Sequence, residues 1–241
     1  MIEVDLIKKH GKKALGIAEH DHQKQTWRQR LGEIALEIGI IVFAITLSIQ
    51  LHSWHERALD KEAEGRFLLG LKQDLQDDVQ SMRSDSLWYT KIKSGFRYYR
   101  QLPVKAQRAD SVAHYNWVLT STQIFEPSSS RFEAFKSSGR LTVIKNDTLL
   151  NDIMRYYQSV IPGMLSVTED FVDFQEKRLE PYLEDHVDST NKNFVEVISS
   201  EQAKRLLQRS DYLDFLLGRY HKAIEESRHL IKGVDKALAR N

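Results

Sequence analysis

The sequence predicts an all-α protein, with one N-terminal transmembrane helix continuing into an up-and-down helical bundle that carries a smaller helical insert. Three observations predict it. An uncharged apolar run lies near the N-terminus of a chain whose mean hydropathy is −0.47. Beyond that run, apolar residues recur at three- and four-residue steps over long distances. Only four prolines and eleven glycines punctuate 241 residues, so little interrupts helix.

The apolar segment reads LGEIALEIGIIVFAITLSIQLHSW from Leu31 to Trp54, and Ile38 to Ile49 carry no charge. As a helix, this stretch is about 36 Å long, against a hydrocarbon thickness of roughly 30 Å. Trp27 and Trp54 bracket it and suit the two membrane interfaces as anchors. A buried core helix is the competing reading, since an uncharged run of 12 residues is short enough for one. A cleaved signal peptide fits less well, because the run starts more than thirty residues from Met1.

Residues 1–30 hold seven Lys/Arg against four acids, whereas Arg57, Lys61 and Arg66 are interspersed with Glu56, Asp60, Glu62 and Glu64. The bias places the N-terminus in the cytoplasm. The expected division is a cytoplasmic arm over 1–30, a membrane helix over 31–54 and an extracytoplasmic helical domain over 55–241. The arm alternates apolar and basic pieces. It reads either as an amphipathic helix on the membrane surface or as a partner-binding tail.

Two stripes separate on the membrane helix. One holds Glu33, Glu37, Ala44, Ser48 and His55; the other holds Gly32, Ala35, Gly39, Thr46 and Gln50. Small and polar residues mark helix contacts in lipid. Glu33, Ala35, Glu37, Gly39 and Ser48 are therefore candidate contacts with another membrane protein or a second copy. A lone lipid-facing anchor is the other reading.

In the C-terminal region Leu68, Leu71, Leu75, Val79 and Met82 form a coiled-coil-like seam. A second apolar stretch runs from Leu87 to Leu102, and residues 103–111 read as a loop. Ala109 to Leu119 reads as helix and Thr120 to Phe125 as extended. Ser130 and Glu133 have the spacing of a capping box, Gly139 sits where a helix C-cap belongs, and Asn146 or Asp147 can cap the next helix. Pro162 is expected to begin a further helix. The last long helix places Leu213, Leu216, Tyr220, Ile224, Ile231, Val234 and Leu238 on one face, suited to antiparallel packing against the first.

LGEIALEIGIIVFAITLSIQLHSWHE, FLLGLKQDLQDD and FKSSGRLTVIKNDTLLNDIMRYYQ resemble a family of single-pass bacterial membrane proteins built on a domain of unknown function. The resemblance covers roughly residues 30–85 and 130–160. It rests on Glu33, Trp54, Leu69, Leu71, Asp74, Leu75, Ser138, Gly139, Asn146, Tyr156 and Tyr157. It implies a Gram-negative envelope, with the domain in the periplasm, and implies no reaction.

Chemistry is sparse. Absence of cysteine excludes disulfides and thiolate catalysis, and 35 basic against 34 acidic residues give no pull toward nucleic acid. No phosphate-binding loop, dinucleotide fingerprint or nucleophile elbow occurs. His52, His55 and Glu56 read as interfacial residues rather than a metal site, and no cofactor is expected. Arg131, Ser138, Gly139 and Arg140, with Lys136 and Ser137, could hold an anion or carboxylate, or form a capped turn with solvated charges. The tyrosines and Phe125, Phe132 and Phe135 read as core. The expected role is non-enzymatic: binding a partner protein, alternatively sensing a ligand, and least of all catalysis near Ser138.

Overall fold

A computed structural model of the chain describes residues 27–102 and 116–240, apart from the side chains of residues 28–30, 33 and 34. The arm, the loop from Pro103 and most of the helix expected from Ala109 fall outside the described residues. Every regular element among the described residues is helical, so the protein is all-α. The chain divides into two compact units, residues 1–57 and 58–241.

In the first unit, helix α1 (Trp27–Arg100) begins. Its apolar window has a mean hydropathy of 1.8 and is 0% buried, so this helix is long and apolar enough to cross a membrane. Leu36, Phe43 and Ile49 are each more than 60% exposed. Among the described residues nothing covers the run, which tells against the core-helix reading. Within it, the Thr46 hydroxyl donates to the Val42 carbonyl at 2.7 Å, so the group is satisfied without water. Residues 53–64 are helical throughout.

In the second unit, the expected seam is the core. Leu68, Leu71, Leu75 and Met82 are fully buried, and Tyr89, Ile92, Phe96 and Tyr99 extend it. Two helical rods pack on it. One runs without a break from Asp147 to His186, as α4 (Asp147–Arg155), a π-helical turn (Tyr156–Val160), α5 (Ile161–Phe174), a second π-helical turn (Gln175–Leu179) and α6 (Glu180–His186). The other is α9 (Tyr212–Leu238). Shorter helices fill the connections: α2 (Trp117–Thr120), α3 (Ser130–Ser137), α7 (Phe194–Ile198) and α8 (Glu201–Leu207).

Ion pairs fix the directions. Lys72 meets Asp235, Lys93 meets Asp214 and Arg100 meets Asp211, so α9 runs antiparallel to α1. Arg155 meets Glu226 at 2.8 Å, and Tyr212 donates to Asp170 at 3.2 Å, so α9 also runs antiparallel to the Asp147–His186 rod. Buried Tyr156 accepts a hydrogen bond from Ser227 at 2.8 Å between those two rods. Leu230 is buried where Ile231 was expected, and Ile231 and Leu238 lie at the core's edge.

Pro162 stands in the first turn of α5, as expected, and Pro181 stands likewise in α6, but neither helix starts afresh: each continues directly out of a π-helical turn. A proline in an α-helix lacks an N–H and strikes the carbonyl four residues earlier, at about 3 kcal/mol or more. A widened turn just ahead of each ring relieves that collision, and buried Tyr156, Tyr157, Ile161 and Met164 favour continuing the rod. The capping box fails. Ser129 occupies the cap position with helical dihedrals and no side-chain cap bond, and Ser130 is already helical. Just ahead of it the chain turns at Ser128, with the Ser129 N–H donating to the Pro127 carbonyl at 2.8 Å. Asn146 does cap α4, accepting from the Leu149 N–H at 3.1 Å.

The chain returns from the far end of α1 as an extended strap over residues 121–129. Such a strap has no neighbouring strand to take its backbone groups. Side chains of α1 take them instead. Asp78 accepts the Ser128 N–H at 3.0 Å and Tyr89 donates to the Gln123 backbone carbonyl, while Asp85 accepts from the Gln123 side-chain amide nitrogen and so holds the same residue. Further along, Glu64 accepts the Lys145 N–H at 3.1 Å. All three carboxylates are buried, and they sit at multiples of seven residues along α1. Burial pushes the Asp78 and Asp85 carboxyls above the ordinary aspartate range, and one Asp78 oxygen has no partner.

A carboxyl raised in the folded state favours its protonated form there, so folding gains stability as pH falls from neutral toward the raised value. Asp78→Asn keeps an acceptor for Ser128 and removes the buried charge. Its melting temperature at pH 7 should equal or exceed that of the parent, and should rise less on acidification to pH 5. Asp78→Ala should lose about 1–3 kcal/mol, because the strap N–H is left unpaired. Thermal melts at both pH values, in detergent, check the pair.

Candidate ligand groove

Arg131, Ser138 and Arg140 come together on one open groove of about 620 Å³, with Ala63, Arg66, Phe67, Ser130, Ala134 and Phe135. One wall is the start of the second unit's part of α1, and the other is α3 with the turn that follows. The floor is aromatic: Phe67 and Phe135 stack with centroids 4.0 Å apart and planes 14° apart. The rim is cationic. Arg66 pairs with Glu62 one turn back at 3.3 Å, both exposed, and Arg140 is exposed with no ion pair among the described residues.

Arg131 is held differently. Its Nε donates to Asp74 at 2.8 Å, and the guanidinium lies flat on α1 over Gly70. A methyl group on Gly70 would overlap the guanidinium carbon. Glycine is therefore what lets this arginine reach across α1. Gly139 is not part of the lining. It has φ +71°, the left-handed conformation that ends α3 and starts the 3-10 turn Arg140–Val143, and so it aims Arg140.

The Ser138 hydroxyl donates to the Phe135 carbonyl at 2.9 Å. Lys136 pairs with Glu133 at 3.6 Å and lies outside the lining. All five aromatic residues were expected in the core, and four are there: Phe125, Phe132, Tyr156 and Tyr157 are buried, with Phe132 stacked on Tyr157 at 4.5 Å. Phe135 alone of that set is half-exposed, in the groove. Sequence reasoning missed Arg66, Phe67, Gly70 and Asp74 as parts of this site. The signal available was Asp74, an acid on the flank of the Leu-rich seam.

In the first unit, Trp27 and Trp54 are 80% and 72% exposed. Ala35, Glu37, Gly39 and Ser48 are exposed, and the Glu33 side chain lies outside the described residues. His52 meets Glu56 at 3.3 Å, four residues on, so the histidine pairs with Glu56 and not with His55. No group of three metal-ligating side chains occurs among the described residues.

Comparison with known proteins adds no relative: no family model, curated protein or solved structure matches the chain.

The role of Gly70 can be separated from stability. Gly70→Ala favours helix by up to about 1 kcal/mol, so the fold should hold or tighten. A double-mutant cycle on Arg131 and Asp74 should give a coupling of roughly 0.2–1 kcal/mol in the parent. In the Gly70→Ala background that coupling should vanish. Denaturant melts of the four variants in each background check it.

Proposed function

We propose that this chain is a non-enzymatic protein of the bacterial envelope. Residues 31–54 anchor it in the inner membrane, the arm lies in the cytoplasm, and the helical domain lies in the periplasm. There the domain binds a partner protein, as a subunit of a membrane complex. One observation carries the reading: residues 35–51 present an apolar surface that no described residue covers, while residues beyond Ala58 bury a large core of their own. An exposed apolar surface of this extent marks contact with lipid or protein.

The groove supports the partner half of the reading. An aromatic floor with arginines on its rim has the composition of protein-binding hot spots. Arg131, fixed in advance by Asp74 and Gly70, loses little freedom on binding. The occupant that matches this rim is an acidic segment of a partner. A single-pass ligand sensor is the second reading, and the same groove supports it if a small anion fills it. Catalysis at Ser138 has less support, because the hydroxyl donates to its own helix and no acid–base group bonds to it among the described residues.

Two measurements test the proposal. Alkaline phosphatase fused after Asn241 should be active in cells, and a fluorescent protein fused at the same place should stay dark. Phosphatase silence with bright fluorescence would reverse the orientation. A photo-crosslinking residue at Phe135 should yield one adduct of protein size that Arg131→Ala with Arg140→Ala abolishes. Absence of any protein adduct would remove the partner reading.

A further inference from the structure

A second basic pocket lies elsewhere in the helical domain, where the second π-helical turn meets the 3-10 turn Gln208–Asp211 ahead of α9. It has an open volume of about 440 Å³ and three arginines in its lining, Arg178, Arg205 and Arg209. Phe174, Gln208 and Tyr212 are among the other lining residues, and none of the lining residues is acidic. We propose that this pocket binds a small, multiply charged anion bearing a phosphoryl group.

Arg209 is built into place. Its guanidinium lies 4.0 Å from the Tyr212 ring centroid and 5.6 Å from that of Phe174. Its Nε is buried and has no acceptor. A guanidinium fixed between two rings keeps its fork of donors in one plane, the arrangement that meets two phosphoryl oxygens at once. Arg178 lies within the π-helical turn that precedes Pro181. Arg178 and Arg205 are exposed and have no ion pair among the described residues.

Of the nearby aspartates, Asp173 pairs with Lys177 and Asp211 with Arg100, while Asp170 accepts from Tyr212 at the pocket's edge. Three like charges around one small space repel unless an anion sits among them. One carboxylate supplies too little charge, whereas a phosphomonoester or pyrophosphate group supplies two or more with the matching oxygen geometry. The pocket's volume lies within the range of small-molecule sites.

Isothermal titration of the detergent-solubilised full chain with inorganic pyrophosphate tests this, at ionic strength held constant with potassium chloride. Saturable binding is expected. Citrate, a polycarboxylate of similar charge, should bind at least roughly tenfold more weakly, because its carboxylates do not match three converging forks. Arg178→Gln with Arg205→Gln, both on exposed side chains, should weaken pyrophosphate by roughly tenfold or more while leaving the circular dichroism spectrum unchanged. Lys236→Gln, an exposed lysine near the opposite end of α9 and in neither pocket, should bind like the parent. No saturable heat at millimolar pyrophosphate, an undiminished response from the double variant, or equal binding of citrate would overturn the proposal.

Discussion

The segment from Ile38 to Ile49 imposes the condition that everything else must meet. It contains ten apolar residues or glycines and two hydroxyl residues, and among the described residues none of them is covered. An apolar helix left uncovered in water forfeits roughly 25 cal/mol for each Å² of apolar surface. The second unit, taken by itself, packs its apolar faces against one another. Leu68, Leu71 and Leu75 of α1 lie in the domain core with Tyr89 and Phe171. A lipid bilayer is the surroundings that such a segment demands, and the proposed anchoring follows from that demand.

Inside the domain, the main difficulty is the return of the chain from the end of α1. A fourth helix would satisfy its own backbone. An extended strap does not, and its N–H and C=O groups must find side chains. Asp78, Asp85 and Glu64, one heptad phase of α1, face the strap and the segment before α4 where apolar residues would otherwise stand. The same logic governs the two prolines of the second rod. Each removes a backbone donor, and each is preceded by a widened turn that keeps the rod continuous and its aromatic face buried.

Much of this was legible in the sequence. Helical spacing identified the seam from Leu68 to Met82, the face of α9 and its direction, because core burial and 3.6-residue periodicity report the same geometry. Asn146 and Gly139 were legible because their roles depend on neighbouring residues alone. Pro162 was legible as a residue of a helix start, but the π-helical turn joining α4 to α5 was not, because continuity past a proline depends on packing distant in sequence. Ser130 was misread as a cap because Ser129 ahead of it already takes helical dihedrals. In the groove, Arg131, Ser138 and Arg140 form a local cluster and were found together. Arg66, Phe67, Gly70 and Asp74 belong to a helix some sixty residues away, and only the fold brings them in. The pocket around Arg209 was missed for the same reason, since its arginines come from two separate stretches of the chain.

The most direct measurement is fractionation of the full-length chain without detergent. After cell disruption and an alkaline carbonate wash, the chain should sediment with the membranes, and detergent should release it as a folded helical protein. A derivative with Ile41→Asp, Phe43→Asp and Ile45→Asp should leave the pellet. Recovery of the unaltered chain in the carbonate supernatant would contradict the account, because residues 35–51 would then have to be covered by something other than lipid.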